Sequence, residues 1–370
     1  MKKTATAIVI VGALLAGCAK PTPGATATPT EDAAAPTATP VPRTEVATSA
    51  PTDTPTSTPR ATATAEPTNT PIPPTTTPTP YPWVRYRIRY WITLTDRSGP
   101  TRVWMPLPRE WDTQRDVSIV SLEPEPTDVF TEPVNGNRVV FWEVDLQQGQ
   151  AHTFAEEFEI SLLGTRWQID EHNIGVYDLS GPAVQTYLAP TEFIQSNHPE
   201  VRQAANSIVG EEANPYRKAR LIFDFVVAHM KGSSPEDDAL TALRTGRGEC
   251  GAHAHLFVAL CRAAGVPARP VTGLAGFRQG EWLWPEGVGT HMWAEFYLQN
   301  YGWIPVDTND ARLGSHYGSS FADRLILSKG SDIDLGHGSP EGRIPWLHMP
   351  HVNDVQEEGQ ELGLSVTVVP

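Results

Sequence analysis

The sequence predicts an α+β fold in which a β domain is followed by a domain of helices and a β-hairpin. Residues 84–163 contain short runs that alternate between apolar and polar side chains, which is typical of strands. Residues 199–265 repeat their apolar side chains at helical spacing, and residues 290–307 alternate again on both sides of a turn. About 290 residues follow residue 82, which is enough for two domains.

The first residues have the pattern of an export signal. A basic head at residues 1–3 precedes a short apolar run at residues 5–16, too short for a membrane span of ~20 residues. The run ends in Leu-Ala-Gly-Cys at residues 15–18, which resembles the lipobox of bacterial lipoproteins. We therefore expect residues 1–17 to be a signal peptide, with an ordinary secretory signal as the alternative. Lipid on Cys18 would then hold the protein outside the cytoplasm, on the bacterial membrane or cell surface.

Residues 18–82 form a tract of Pro, Thr and Ala that contains nearly half of the 35 prolines. The tract has almost no aliphatic side chains to bury, so it cannot offset the entropy lost on ordering. Pro-rich chain is extended, at ~3.1 Å per residue. We expect a disordered, lipid-anchored linker that separates the folded part from the membrane.

Residues 83–165 are predicted to form a small antiparallel β-sandwich. Asn135-Gly136 is a turn signal between two of the predicted strands. Short strands separated by turns favour a sandwich. The segment lacks a cluster of His, Cys or paired carboxylates, so we interpret it as structural or substrate-orienting. The predicted strands are residues 84–95, 102–107, 117–122, 138–146 and 152–163.

Four helical segments follow the β domain. Residues 199–210 are predicted to be a short helix that ends at a glycine, and Asn214-Pro215 begins a longer one. Ser234 is the expected cap of a third segment, which runs to residue 243. The fourth helix begins at Cys250, and Gly265 with Pro267 ends it.

The two cysteines of this last helix are expected to differ. They are 11 residues, or ~16 Å, apart along a helix, whereas a disulfide needs Cα atoms within ~7 Å. Cys261 lies on the apolar stripe and is interpreted as packing. Cys250 lies at the helix N-terminus, where peptide N–H groups and the helix dipole favour a thiolate. Gly248 and Gly251 beside it are expected to leave room for a substrate backbone. The alternative is a second buried structural cysteine.

A predicted hairpin supplies partners for such a thiol. Residues 290–298 and 303–306 read as strands around a turn at residues 299–302. His291 and Asp307 then lie near the open end of the hairpin. A four-residue turn would place His291 opposite Asp310, whereas a shorter turn or a bulge would favour Asp307. The residue pattern alone leaves both aspartates open.

Taken together and in order, these segments resemble the transglutaminase-like core. The resemblance rests on Gly248-x-Cys250, the helix end at residues 262–269, His291-x-Trp293-x-Glu295-x-Tyr297 and the run at residues 302–307. It implies a papain-like α+β domain, which we assign to residues 166–370. It also implies a catalytic triad of Cys250, His291 and Asp307, and so prefers Asp307 to Asp310. The oxyanion donor that the family carries upstream of the cysteine has no clear match, so the Cys250 amide is expected to serve in part.

The resemblance implies cysteine-dependent acyl transfer on protein or peptide amides through a thioester. Water as acceptor would make the protein a protease or amidase, and a lysine amine would make it a transglutaminase. The alternative is a non-catalytic module that keeps the fold as a binding or scaffold domain. We expect neither cofactor nor metal, and the net charge of −15 argues against a nucleic-acid partner. The sequence leaves the oligomeric state open. Residues 364–369 are expected to be a last strand that closes the cysteine domain.

Overall fold

The computed structural model describes residues 6–11, 83–276, 289–309, 316–353 and 359–369. Cys18, the tract 18–82 and Asp310 lie outside the described residues, and so do most residues of the expected signal peptide. Signal peptide, lipid anchor and linker therefore stay predictions. The described helices include none that is long and apolar enough to cross a membrane.

Two antiparallel sheets pack face to face as a sandwich. The first has the strand order β1-β18-β2-β7-β4, and the second has the order β17-β3-β6-β5. Inward side chains such as Ile88, Phe158, Val103 and Trp142 form one core between them. The alternation in the sequence therefore predicted the buried faces correctly. The strands are β1 (Thr6–Val11), β2 (Val84–Leu94), β3 (Gly99–Leu107), β4 (Gln114–Glu123), β5 (Asp128–Thr131), β6 (Arg138–Leu146), β7 (His152–Leu162), β17 (His351–Val352) and β18 (Gln360–Val369).

The last strand belongs to the sandwich, so the prediction that it closes the cysteine domain is wrong. Strand β18 pairs antiparallel with β2 along its whole length, from Gln360 opposite Leu94 to Val369 opposite Arg85. Gly363 makes this close pairing possible, because a Cβ there would lie 2.0 Å from the ring of Trp91. The alternation at residues 364–369 predicts a strand, but it does not reveal which sheet edge the strand joins.

A second group of helices and strands follows. Its main sheet has the order β12-β11-β10-β9-β14, and β13 pairs with β8. The apolar side of α5 packs on β10, with Phe257 against Phe296 in a shared core. The elements are β8 (Thr165–Arg166), a 3-10 helix (Glu171–Asn173), α1 (Pro182–Thr186), α2 (Pro199–Val209), α3 (Pro215–His229), α4 (Ala239–Thr245), α5 (Cys250–Ala263), β9 (Ala268–Ala275), β10 (Gly289–Leu298), β11 (Gly302–Asp307), β12 (His316–Tyr317), β13 (Ser319–Ser320) and β14 (Arg324–Lys329).

Side-chain caps set where two of these helices begin. The Asn214 side chain accepts hydrogen bonds from the amides of Tyr216 and Arg217, which confirms the predicted start of α3. Helix α4 begins later than expected, since Asp238 caps it through the amide of Thr241. The predicted cap at Ser234 is therefore wrong. An aspartate is as good a cap as a serine, and only the folded chain selects between them.

Residues 330–353, which we call the strap, connect the two parts of the molecule. The strap contains β15 (Ile333–Asp334), β16 (Arg343–Ile344) and β17. Its apolar side chains, among them Ile333 and Leu347, cover the outer face of the second sandwich sheet at Trp104 and Phe141. Leu274 and Leu325, from β9 and β14, also enter the sandwich core. The sandwich and the cysteine-bearing part therefore share buried surface.

Candidate active site

Cys250 is the first residue of α5, where the sequence placed it. The side chain of the preceding Glu249 makes no capping bond, and the first-turn amides of a helix have no partner within the helix. The thiol is half-buried, forms no disulfide within the part of the chain that the structure describes, and packs on an apolar cluster. Thus the sulfur lies at the positive end of a helix in a largely dry environment, a setting that favours thiolate reactivity. The cluster consists of Phe193, Ala254, Met292 and Trp346.

The glycines beside Cys250 make room for the protein's own atoms. A Cβ at Gly248 would lie 2.2 Å from the Cβ of Ala252. A Cβ at Gly251 would lie 2.8 Å from the carboxyl group of Asp237. Both glycines are needed for the tight entry into α5. The Cβ position of each glycine is thus filled by the protein's own atoms, and room for a substrate backbone beside them stays a prediction.

The hairpin turn decides which aspartate meets His291. Leu298 pairs with Gly302, so the loop has three residues instead of the four assumed for a plain turn. The ladder then pairs Ala294 with Val306. Continued by one residue, it sets Asp307 beside Trp293, on the same face as His291. A loop longer by one residue would turn Asp307 to the opposite face.

The structure brings Cys250, His291 and Asp307 into one hydrogen-bonded chain. The Nε2 atom of His291 lies 2.8 Å from Oδ2 of Asp307, and both residues are buried. The imidazole also hydrogen-bonds Cys250. Because Nε2 faces the carboxylate, Nδ1 is left to face the sulfur. This arrangement can move a proton between sulfur and imidazole while the carboxylate fixes the imidazole tautomer.

Arg324 belongs to the same hydrogen-bonded group, and the sequence pattern did not predict it there. Its Nη1 atom lies 2.6 Å from Oδ2 of Asp307, and both side chains are buried. The guanidinium also lies near the Trp293 ring, 5.4 Å from its centroid. Arg324 is the first residue of β14. An arginine that opens a buried strand was the one available signal.

Gly273 lets the strand that carries Arg324 come close. It lies opposite His291 in the β9–β10 ladder and opposite Ile326 in the β9–β14 ladder. A Cβ at this position would be 1.8 Å from the Leu325 carbonyl oxygen. Any larger residue would therefore push β14, and with it Arg324, away from the site.

Opposite charges control the protonation of the buried pair. Burial disfavours the charged forms of His291 and Asp307, but the charged groups beside them have the larger effect on both pKa values. The Asp307 carboxylate, together with Cys250, raises the pKa of His291 to about 9. Arg324 and His291 hold the pKa of Asp307 well below its usual range. At neutral pH the site is thus an imidazolium held between a carboxylate and a thiol, which favours the thiolate form of Cys250.

The two histidines of α5, His253 and His255, bond to the backbone of neighbouring loops. Nδ1 of His255 lies 2.6 Å from the Asp237 carbonyl oxygen, and His253 hydrogen-bonds the backbone of Thr308. Burial lowers the pKa of both imidazoles, and that of His255 falls to about 4. Each ring therefore fixes a neighbouring loop as a neutral group.

Cys261 is fully buried in the core around α5. Burial raises the pKa of its thiol well above the usual value. A thiol in that state is inert, since the thiolate is the reactive form. The predicted difference in environment between the two cysteines is confirmed, since Cys261 is buried and Cys250 is half-buried.

Comparison with known proteins agrees with this fold. The family model of the Transglutaminase-like superfamily matches residues 202–308. This range includes Cys250, His291 and Asp307. An uncharacterized protein from Haemophilus influenzae is 29% identical over an alignment of 243 residues, and the match covers 58% of this chain and 64% of the relative. The chain thus matches less than two-thirds of that relative's length.

A solved structure shares the fold more widely. It is the crystal structure of "a Putative Cysteine Protease" from Cytophaga hutchinsonii, which is 16% identical in sequence with a TM-score of 0.52. The likeness covers 77% of this chain and 98% of that one. The resemblance seen in the motifs is confirmed. The chain therefore contains a transglutaminase-like domain, matched over residues 202–308.

Proposed function

We propose that this protein transfers acyl groups from protein or peptide amides through a thioester on Cys250. The observation that carries the proposal is the buried chain Cys250–His291–Asp307, since each member has the partner that its role requires. His291 faces the thiol and Asp307 orients His291. Arg324 keeps the carboxylate charged.

The step balances with these groups alone. The Cys250 sulfur attacks the amide carbonyl carbon, so that a C–S bond forms and the carbonyl electron pair moves to oxygen. His291 then gives its proton to the nitrogen as the C–N bond breaks and the amine leaves. Water or a second amine attacks the thioester, His291 takes its proton, and the thiolate is released. With water the protein is a protease or amidase, and with an amine it is a transglutaminase.

The enzyme is proposed to act outside the cytoplasm, held by lipid on Cys18, which precedes the tract rich in Pro and Thr. The support is the export pattern at residues 1–18. In cells that export it, the full chain should enter the detergent phase of a phase-separating extraction, and Cys18→Ser should remain in the aqueous phase. Equal partition of both chains into the aqueous phase would remove the lipid anchor from the proposal.

Activity is tested on casein as acyl donor, with a fluorescent primary amine as acceptor. Peptide release measures hydrolysis, and fluorescence on casein measures transfer, so that the two outcomes separate the candidate reactions. Cys250→Ala should lose both signals. Cys261→Ala is the matched control, because it removes a thiol in the same helix that is 0% exposed, and it should keep them.

The alternative is a binding or scaffold module that keeps the fold without chemistry. It predicts no difference between wild type and Cys250→Ala on casein or on a wide panel of peptide amides. Activity that survives in Cys250→Ala would equally contradict the proposal.

A further inference from the structure

His348, in the strap, is a buried polar residue outside the hydrogen-bonded group Cys250, His291 and Asp307. Its side chain is only 1% exposed. Its Nδ1 atom makes no hydrogen bond among the residues that the structure describes. A buried polar atom without a partner costs free energy, ~1–3 kcal/mol. Such an atom is a candidate for binding a group that arrives only during the reaction.

The surroundings of His348 place it near Cys250. Trp346, two residues earlier in the strap, belongs to the apolar cluster on which Cys250 packs. Burial lowers the pKa of His348 to about 4, and Cys250 and His291 are the charged groups close enough to influence it. The imidazole is therefore neutral at the pH where the thiolate exists. A neutral imidazole carries one N–H donor and brings no competing positive charge.

Attack by Cys250 creates a negative oxygen that needs donors. The Cys250 amide at the start of α5 can supply one donor, and the sequence upstream of Cys250 has no clear match to the family's second donor. Preorganised donors aimed at an oxyanion are among the largest contributions to enzymatic rates. We propose that His348 is a further catalytic residue, whose imidazole N–H donates to the oxyanion formed when Cys250 attacks a carbonyl. This inference rests on the proposed function of Cys250.

The sandwich holds His348 in position. The hydroxyl of Tyr90, in β2, donates to the backbone carbonyl of His348 at 3.1 Å in a buried contact. The neighbouring amide of Leu347 donates to the Ser328 hydroxyl at 3.3 Å. The β domain thus acts on the site through the strap, which gives it a positioning role.

Two small probes separate an oxyanion donor from any other role. Iodoacetamide alkylates the thiolate by displacing iodide, and no oxyanion forms. p-Nitrophenyl acetate acylates it through a tetrahedral oxyanion: the C–S bond forms, the ester C–O bond breaks, and p-nitrophenolate leaves with the electron pair. We expect His348→Ala to lower the acylation rate roughly 10²-fold. Alkylation of Cys250 should stay within about threefold, since thiolate content controls that reaction.

Three further variants serve as controls for the His348→Ala result. His348→Asn keeps an N–H donor near the position of Nδ1 and should recover part of the acylation rate, even if His348→Ala folds poorly. Tyr90→Phe should lower acylation less than His348→Ala, because it only loosens the support. His337→Ala changes a histidine of the strap that stacks on Phe141 and pairs with Asp128, away from Cys250. It should leave both rates unchanged.

The possible failures are distinguishable. If both rates fall together in His348→Ala, or if neither changes, His348 does not bind the oxyanion. A wild-type protein that is alkylated rapidly but never acylated would also overturn the inference, while leaving the activated thiol in place. A wild-type Cys250 that reacts slowly with both probes would contradict the proposed function itself.

Discussion

At the scale of single residues, the site depends on how Asp307 is held. The carboxylate lies between two buried cationic groups, His291 and Arg324, both in contact with its Oδ2 atom. Removing one partner of a buried ion pair leaves an uncompensated charge. Each member of this group therefore controls the protonation of the other two, and pH profiles can test each contribution.

Wild-type acyl transfer should decline as the pH rises through about 9. The pKa of His291 is raised to about 9, so the imidazolium that protonates the leaving amine is present below that pH and lost above it. Asp307→Asn removes the main group that raises this pKa, so the alkaline limb should move down towards the ordinary histidine value of ~6.5. Hydrolysis rates across the pH range measure the alkaline limb of wild type and that of Asp307→Asn. An unchanged limb in Asp307→Asn would contradict the role of the carboxylate.

Arg324→Gln should make the site more sensitive to acid. Without the guanidinium the pKa of Asp307 rises from its depressed value, so the carboxylate is lost at a higher pH as the solution is acidified. The acid limb of Cys250 alkylation should therefore move upward. Arg343→Gln is the control, since Arg343 forms an exposed pair with Asp332. Identical acid limbs in wild type and Arg324→Gln would disprove the assignment.

At the scale of elements, close backbone approach places the functional groups. The three-residue turn of the β10–β11 hairpin sets the face of Asp307, and Gly273 allows β14 to carry Arg324 against it. The length of the turn sets the register of β10 and β11, and Gly273 sets the separation of β9 and β14. A small change in this register or separation should therefore alter the site without replacing any of its residues.

Gly273→Ala should destabilise the protein and slow Cys250 alkylation together. The added Cβ would overlap the Leu325 carbonyl oxygen, and overpacking of this kind costs ~1–3 kcal/mol. Gly289→Ala, in the neighbouring strand, would place its Cβ more than 4 Å from any atom of the described residues outside its own chain neighbours, and should be nearly neutral. Urea unfolding and alkylation rates measure the two effects. Equal stability of the two variants would show that β14 adjusts freely.

At the scale of the whole molecule, the sandwich and the cysteine-bearing part share buried apolar surface, so we expect them to unfold as one cooperative unit. Leu325, in β14, is completely buried in the sandwich core, and the strap crosses between the two parts. Residues that belong to one packed core usually unfold together. The β domain should therefore protect the site instead of behaving as a separate attachment.

Leu325→Ala should lower the free energy of unfolding by ~2–5 kcal/mol, the usual cost of such a cavity. Circular dichroism and the accessibility of the Cys261 thiol should report the same urea midpoint, since one transition exposes both regions. Leu221→Ala, at a 40% exposed position, should change stability much less. A Cys261 midpoint well below that of circular dichroism would show that the domains unfold separately.

Much of this organisation could be predicted from the sequence, because local patterns encode it. Alternation at residues 84–94 and helical spacing after Asn214 gave the right elements, and the motif around Cys250 gave the core of the site. Long-range choices had no local signal. The partner of β18 and the contact of Arg324 with Asp307 depend on which surfaces meet in the folded chain. His348 lies in a stretch with little regular structure, so no periodicity marked it.

The most direct test of the central claim is site-specific alkylation at neutral pH. Folded protein is treated with limiting iodoacetamide, and peptide mapping gives separate rates for Cys250 and Cys261. The expected result is rapid labelling of Cys250, roughly tenfold or more above an ordinary thiol, slower labelling in His291→Ala, and labelling of Cys261 only after unfolding. Equal, slow labelling of both cysteines in the folded protein would contradict the account.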